Sequence, residues 1–216
     1  MSPETAAARA LSEIRADPRI RIVAVSGPGE PLANPETFET FELIRDSLQD
    51  VNFCLSTNGT MLSEHVPWLK KMGFMSVTVS MSTSNPSSAA RIYEWAEIAG
   101  RRLTGDEMGL FIIRSQLHGI SKAADARLPV KVNSILIPEI NKEDIVRLAE
   151  LVAEAGASLQ NIVPLVPNDR FASLTPPSRT QLEDVRKRAS VHIVQFRHCK
   201  QCRSDVMGIP GCDVIL

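Results

Sequence analysis

The stretch Ile22–Pro35, IVAVSGPGEPLANP, decides how the chain is read. Its first four residues, Ile22-Val23-Ala24-Val25, form the unbroken apolar run of a buried parallel strand, and the run breaks at once into Gly27-Pro28-Gly29. A strand therefore ends in a turn whose main chain is open to close approach. Glu30 then sets a carboxylate at the strand's carboxyl end, where α/β sheets and barrels carry their sites. A ligand with an amino group suits such a turn. The alternative is an ordinary βα loop in which the glycines only make the turn and Glu30 is solvated.

On either side of this stretch, helical and strand patterns alternate. Ser2-Pro3-Glu4 caps a helix that runs to about Ala16, and Asn34-Pro35-Glu36 caps another that runs to about Leu48. Val51–Ser56 reads as a strand closed by Thr57-Asn58-Gly59, followed by a helix from about Ser63 to Met72. Phe74–Ser80 is a further strand, and the long connection after it holds a predicted helix over Ser87–Ala99 and a longer one over Asp106–Ala126. Val130–Ile137 is the clearest strand; Asn141 is expected to cap the helix that ends at Gly156. Leu159–Leu165, a helix over Ser178–Ala189 and the alternation His192–Phe196 complete the pattern. Connections too long for hairpins make the strands parallel, and the fold class is α/β, a partial parallel (β/α) barrel. Residues 1–197 form this barrel, and 198–216 form a C-terminal tail, with a Cys-x2-Cys pair, packed on it. GPGE, STNG, the Ser-rich turn after Ser80, VNS and NIVPL all fall at the carboxyl ends of strands, which converge on one mouth.

A net charge of -1, with both signs interspersed, gives no electrostatic footprint for nucleic acid or an anionic membrane, and no apolar run reaches spanning length. The N-terminus does not have the pattern of a signal peptide, so a cytoplasmic protein is expected. Of the four cysteines, Cys199 and Cys202 are spaced so that both thiolates can reach one soft metal centre, zinc or iron-sulfur, with His198 beside them. A pair fills half a tetrahedral shell. Cys54 lies in a strand, where a buried core thiol is the ordinary reading, and Cys212 has no assignment.

The segments GPGEPLANP, CLSTNG, VKVNSILIPEIN, NIVPL and RHCKQCRSDVMG, in this order and at these spacings, closely resemble the NifB family of radical S-adenosylmethionine (SAM) enzymes, which make the precursor of the nitrogenase iron-molybdenum cofactor. The resemblance implies a radical SAM-type barrel without its first strand. It implies that Gly27, Gly29 and Glu30 hold the amino group of SAM. Thr57 with Asn58, Ser80, Asn133 with Ser134, and Asn161 with Ile162 would line the rest of the SAM pocket; caps and turns at strand ends are the plainer role of such residues. Cys54, Cys199 and Cys202 become ligands of 4Fe-4S substrate clusters. The reaction implied is radical SAM-dependent carbide insertion and fusion of two 4Fe-4S clusters into the 8Fe precursor, with nitrogenase cofactor carrier or scaffold proteins as partners. The family's Cys-x3-Cys-x2-Cys loop, which binds the SAM-cleaving 4Fe-4S cluster, is absent from these 216 residues. The expectation is a truncated or split member, inactive alone, whose cysteine segment comes from an N-terminal partner chain. Two other readings stand beside it: a non-catalytic SAM- or metal-binding scaffold, and an aldolase-type barrel using Lys131, which lies early in its strand for that role.

Overall fold

In a computed structural model the chain alternates strands and helices from end to end. Residues 1–27, 29–98 and 100–197 are described in full, and beyond them only the backbone of two short strands, Val206–Met207 and Val214–Ile215, which pair antiparallel. Cys199, Cys202, Cys212 and His198 lie outside the described residues.

Helix α1 (Pro3–Ala16) precedes strand β1 (Ile22–Val25), and two of the three helix caps expected from the sequence hold: the Ser2 and Asn34 side chains accept from the first-turn N–H groups of α1 and of α2 (Pro35–Ser47). Strand β2 (Asn52–Thr57), helix α3 (Leu62–Lys71) and strand β3 (Phe74–Ser80) follow. The next crossover holds α4 (Pro86–Ile92), the hairpin β4 (Ala96–Ile98) with β5 (Arg101–Leu103), and the long α5 (Gly105–Asp125). Then come β6 (Val130–Leu136), α6 (Pro138–Asn141), α7 (Ile145–Glu154), β7 (Leu159–Pro164) and α8 (Arg179–Ala189); the last pair, β8 and β9, is the C-terminal one already given.

The five long strands form one all-parallel sheet in the order β1-β2-β3-β6-β7. Neighbours in space are neighbours in sequence, so right-handed crossovers place the helices on one face. That face carries the core: Phe53, Leu55, Val77, Val79, Val130, Val132, Leu136 and Ile162 from the strands meet Phe41, Ile44, Leu69, Ile120, Leu148 and Val185 from the helices. Met75 is an extra residue in β3 where the ladder shifts register, and the shift turns Phe74 toward the core while Met75 stays exposed. Phe74 thereby joins Phe41 and Phe53, with ring centroids 4.8 and 5.5 Å away.

Three expectations are corrected. β1 is an edge strand with Ile22 47% exposed, not a buried one, because no described strand pairs on its far side. The helix expected over Ser87–Ala99 stops at Ile92: Gly100, at φ +74°, makes the tight turn of the β4–β5 hairpin out of residues whose helical propensity suggested otherwise. Asn141 is not the cap of α7, where Asp144 stands; it is fully buried and its side chain stitches two loops together. Its amide donates to the Ser82 and Ile135 carbonyls at 2.6 and 2.8 Å and its oxygen accepts from Ile137 N–H at 2.8 Å. After α8 the chain returns beside β7 as a rudimentary sixth strand, with Gln160 N–H donating to Val194 O and Phe196 N–H to Gln160 O. Among the described residues no helix is long and apolar enough to cross a membrane.

Candidate functional site

The Gly27–Glu30 turn is built as the sequence implied. Gly27 and Gly29 adopt φ of +101° and +88°, a left-handed backbone that L side chains rarely enter, and no neighbouring atom would meet a Cβ at Gly29 within 4 Å. Glu30 leads a single 3-10 turn over Pro31–Ala33, and its Oε1 accepts from Leu32 N–H at 3.0 Å. The same oxygen accepts from the Thr57 hydroxyl at 2.6 Å, and Oε2 accepts from Asn58 N–H at 2.6 Å. A carboxylate has about four acceptor positions, so three protein donors leave one on Oε2 in a half-buried site. The carboxylate is held rigidly and is not saturated. Thr57 is itself fixed, since its hydroxyl oxygen accepts from Gly59 N–H at 2.9 Å.

Strand alternation sorts the remaining candidates by face. On the face without helices, the register sets side chains in rows across the sheet. Ala24, Cys54 and Ser76 form one row, Ser56, Thr78, Lys131 and Leu159 the next, and Ser80, Asn133 and Asn161 a third toward the mouth, with Ile135 and Val163 beyond it. Ser80, Asn133 and Asn161 thus come together from three strands, and Asn161 Nδ2 donates to Asn133 Oδ1 at 3.2 Å. Asn161 is 1% exposed and its Oδ1 has no hydrogen-bond partner. A buried acceptor without a partner costs about 1–3 kcal/mol, so this row has a place for a donor from a ligand. Ser134 and Ile162, expected beside Asn133 and Asn161, fall on the other face. Both are fully buried against the helices, where Ser134 Oγ donates to Met81 O at 2.7 Å; Ile162 O is taken by the Arg186 guanidinium at 3.0 and 2.7 Å. Their side chains do not reach the mouth. Asn58 is exposed, with Oδ1 occupied by the N–H and hydroxyl of Thr60 at 2.9 and 2.7 Å.

Cys54 sits half-buried in its row on the uncovered face, not in the core that a strand cysteine ordinarily joins. Lys131 is the second residue of β6, one row below Asn133, with its ammonium 5.7 Å from the Phe196 ring centroid, a position that does not suit a mouth lysine of aldolase type.

Sequence reasoning missed Gln116. It lies on α5, 1% exposed, with Nε2 donating to Asn58 O at 2.7 Å and to Ser80 O at 2.9 Å. The signal was a lone amide in the apolar stripe Ile112, Ile113, Gln116, Ile120, Ala123. Tyr93, between α4 and the hairpin, lies beside Gln116, and burial pushes its phenol above the ordinary value.

The described residues fit the two kinds of group differently. The remaining acceptor on Glu30 and the unpartnered Asn161 oxygen fit a ligand rich in donors, such as the ammonium, ribose and adenine of SAM. For a 4Fe-4S cluster the donor set falls short: among the described residues no three His, Cys, Asp or Glu side chains are grouped to hold a metal, and Cys54 is the one thiol there.

The chain is similar to known proteins along most of its length. The chain is 36% identical over 220 residues to the FeMo cofactor biosynthesis protein NifB of Klebsiella pneumoniae, a match that covers 99% of this chain and 47% of the relative. It is 37% identical over 201 residues to NifB of Methanocaldococcus jannaschii, covering 93% of this chain and 66% of that one. The chain thus spans about half to two thirds of the length of these relatives. Among solved structures, a radical SAM methyltransferase from Sphaerobacter thermophilus matches with a TM-score of 0.66 at 16% identity, over 91% of this chain and 57% of that one. SuiB from Streptococcus suis matches with a TM-score of 0.64 at 10% identity, over 92% of this chain and 44% of that one. These two share the fold. The Radical SAM superfamily model matches residues 1–152, more than half of the chain, and the chain belongs to that superfamily.

Proposed function

We propose that this chain is the SAM-binding core of a NifB-like enzyme of nitrogenase FeMo-cofactor biosynthesis. The observation that carries the reading is the Glu30 carboxylate, fixed by three protein donors and left with acceptor capacity on Oε2. An ammonium bound there makes a charge-assisted hydrogen bond, worth about 1.5–3 kcal/mol. Gly27 and Gly29 open the main chain beside it, and Ser80, Asn133 and Asn161 supply polar contacts for the ribose and adenine. Thr57 and Asn58 act through Glu30. The chain's own work is to bind, orient and shield SAM, which converts remote binding energy into position.

The reaction we assign to the assembled enzyme is carbide insertion with fusion of two 4Fe-4S substrate clusters into the 8Fe precursor. It is supported by likeness to NifB over 93% and 99% of the chain. Cys54, with Cys199 and Cys202, is proposed to hold the substrate clusters. The three thiolates of the SAM-cleaving cluster are assigned to a segment or partner outside these 216 residues. A second reading, a SAM-binding scaffold without turnover, is favoured by the lack of a Cys-x3-Cys-x2-Cys triplet within them.

Titration calorimetry with SAM tests the core of the proposal. Glu30→Gln keeps the size of the side chain but removes the charge and turns an amide donor toward Asn58 N–H. The dissociation constant is expected to rise on the order of tenfold to a hundredfold. Equal affinity in the variant and the wild type overturns Glu30 as the ammonium site.

A further inference from the structure

One side chain ties the helical layer to two neighbouring strand ends at the mouth. Both protons of the Gln116 amide are committed, one to Asn58 O at 2.7 Å and one to Ser80 O at 2.9 Å. These carbonyls belong to neighbouring strands just where their ladder ends: Thr57 and Val79 are the last residues in register between β2 and β3. The side-chain amide takes the place of the next rung. It reaches that place because α5 lies unusually close to the turn after β2. A Cβ on Gly59 would stand 2.8 Å from Val79 Cγ1 and 3.2 Å from Gln116 Cγ, and one on Gly119 would stand 2.9 Å from Leu62 Cβ and 3.3 Å from Gly59 O. Two glycines therefore permit the approach that inserts Gln116.

The peptide that follows has two anchors. Asn58 O is held by Gln116 from the helix side, and Asn58 N–H is given to Glu30 Oε2 at 2.6 Å from the mouth side. Ser80, the other strand held, presents its side chain in the mouth row beside Asn133. We infer that Gln116 is a positioning residue for the SAM site, setting Glu30 through the Asn58 peptide and Ser80 through its carbonyl, without touching SAM itself. The ligand rests on the reading of Glu30 as the ammonium site; the geometry of the turn does not depend on that reading.

Gln116→Glu and Gln116→Leu test it. Glutamate at 116 has one hydroxyl donor when protonated and none when ionised, so its ability to hold the two carbonyls falls as pH rises; leucine has none at any pH. Tyr93, an ionisable neighbour at this position, stays neutral between about pH 6 and 9, since burial holds its phenol above the ordinary value near 10, and the Glu30 carboxylate faces the same turn through Asn58 N–H. The ratio of variant to wild-type SAM affinity is expected to fall on the order of tenfold for Gln116→Glu over that interval and to stay low and level for Gln116→Leu. Amide hydrogen exchange at Asn58 and Gly59 is expected to quicken in both variants while amides of α7 keep their wild-type rates. A lost packing contact alone would not confine the quickened exchange to Asn58 and Gly59, so the local exchange pattern, not the pH trend by itself, separates positioning from packing. Unchanged affinity ratios together with unchanged exchange at Asn58 and Gly59 overturn the inference even where Glu30→Gln loses SAM. If wild type itself binds no SAM, the SAM reading fails, and the exchange rates alone decide whether Gln116 sets the turn. Should Gln116→Leu not fold, Gln116→Glu at low pH supplies the folded comparison.

Discussion

Residue by residue, the site is a set of small polar groups whose second partners matter as much as their first. Glu30 stood out in the sequence as a carboxylate after Gly-Pro-Gly at a strand end, but the turn alone fitted a solvated loop equally well, and the ammonium role came from the register of the other motifs. That Thr57 and Asn58 serve Glu30 was not legible, because 27 and 28 residues separate them and only the parallel pairing of β1 with β2 brings them together. Tyr93 offers a direct reading of this connected region. Its phenol is desolvated, so its folded pKa lies above the unfolded one, and the folded state binds the proton more tightly. The stabilisation this gives is fully present below the ordinary phenol value and is lost as pH rises through the folded one. Wild type is therefore expected to lose stability across that alkaline window more steeply than Tyr93→Phe, which has no proton to lose. Denaturant midpoints measured against pH for both proteins check the difference. Since this is the one tyrosine in the chain, tyrosinate absorbance follows the same group directly.

At the scale of elements, caps and periodicity carried most of the information. Ser2, Asn34 and Ser178 mark helix starts that the structure repeats, and Ser178 with Gln181 completes a capping box. The hairpin after α4 escaped because Ala96, Glu97 and Ala99 favour helix locally, while the pairing with Arg101–Leu103 is a tertiary outcome. Asn141 misled for a related reason: the residue type suits a cap, and burial between two loops gave it another use. Gly119 separates propensity from packing within one helix. Alanine there should gain about 1 kcal/mol of intrinsic helix stability, yet its Cβ would stand 2.9 Å from Leu62 Cβ and force α3 and α5 apart. Overpacking of this kind costs about 1–3 kcal/mol, so Gly119→Ala is expected to be destabilising by about 1 kcal/mol net, with the urea midpoint lowered and the slope unchanged. A stabilised variant would show that α5 is not in close contact with the turn after β2.

For the whole molecule, the face that the helices leave bare is the one that carries the polar rows. Parallel sheets are ordinarily covered on both faces, and here Asn52, Cys54, Ser56, Ser80 and Asn133 line a face that no helix among the described residues covers. The sequence conveyed this as strand-end motifs, because side chains two apart share a face and motifs at the ends of parallel strands share a mouth. What it could not convey is which member of Asn133-Ser134 and of Asn161-Ile162 faces the mouth, since a shift of one residue exchanges the two faces. The same face sets the limit on chemistry. Binding and orientation require only the side chains already in these rows, whereas SAM cleavage requires three thiolates at one iron-sulfur cluster, and the four cysteines at 54, 199, 202 and 212 contain no Cys-x3-Cys-x2-Cys triplet. After anaerobic iron-sulfur reconstitution with a strong reductant, the 216-residue chain is therefore expected to bind SAM and to release no 5′-deoxyadenosine. Adding a polypeptide that carries a Cys-x3-Cys-x2-Cys loop is expected to start its release, and Glu30→Gln should slow it in that mixture. Robust release by the chain alone would mean that its own cysteines hold the cleaving cluster, and the division of labour between this chain and a cysteine-bearing segment would have to be abandoned.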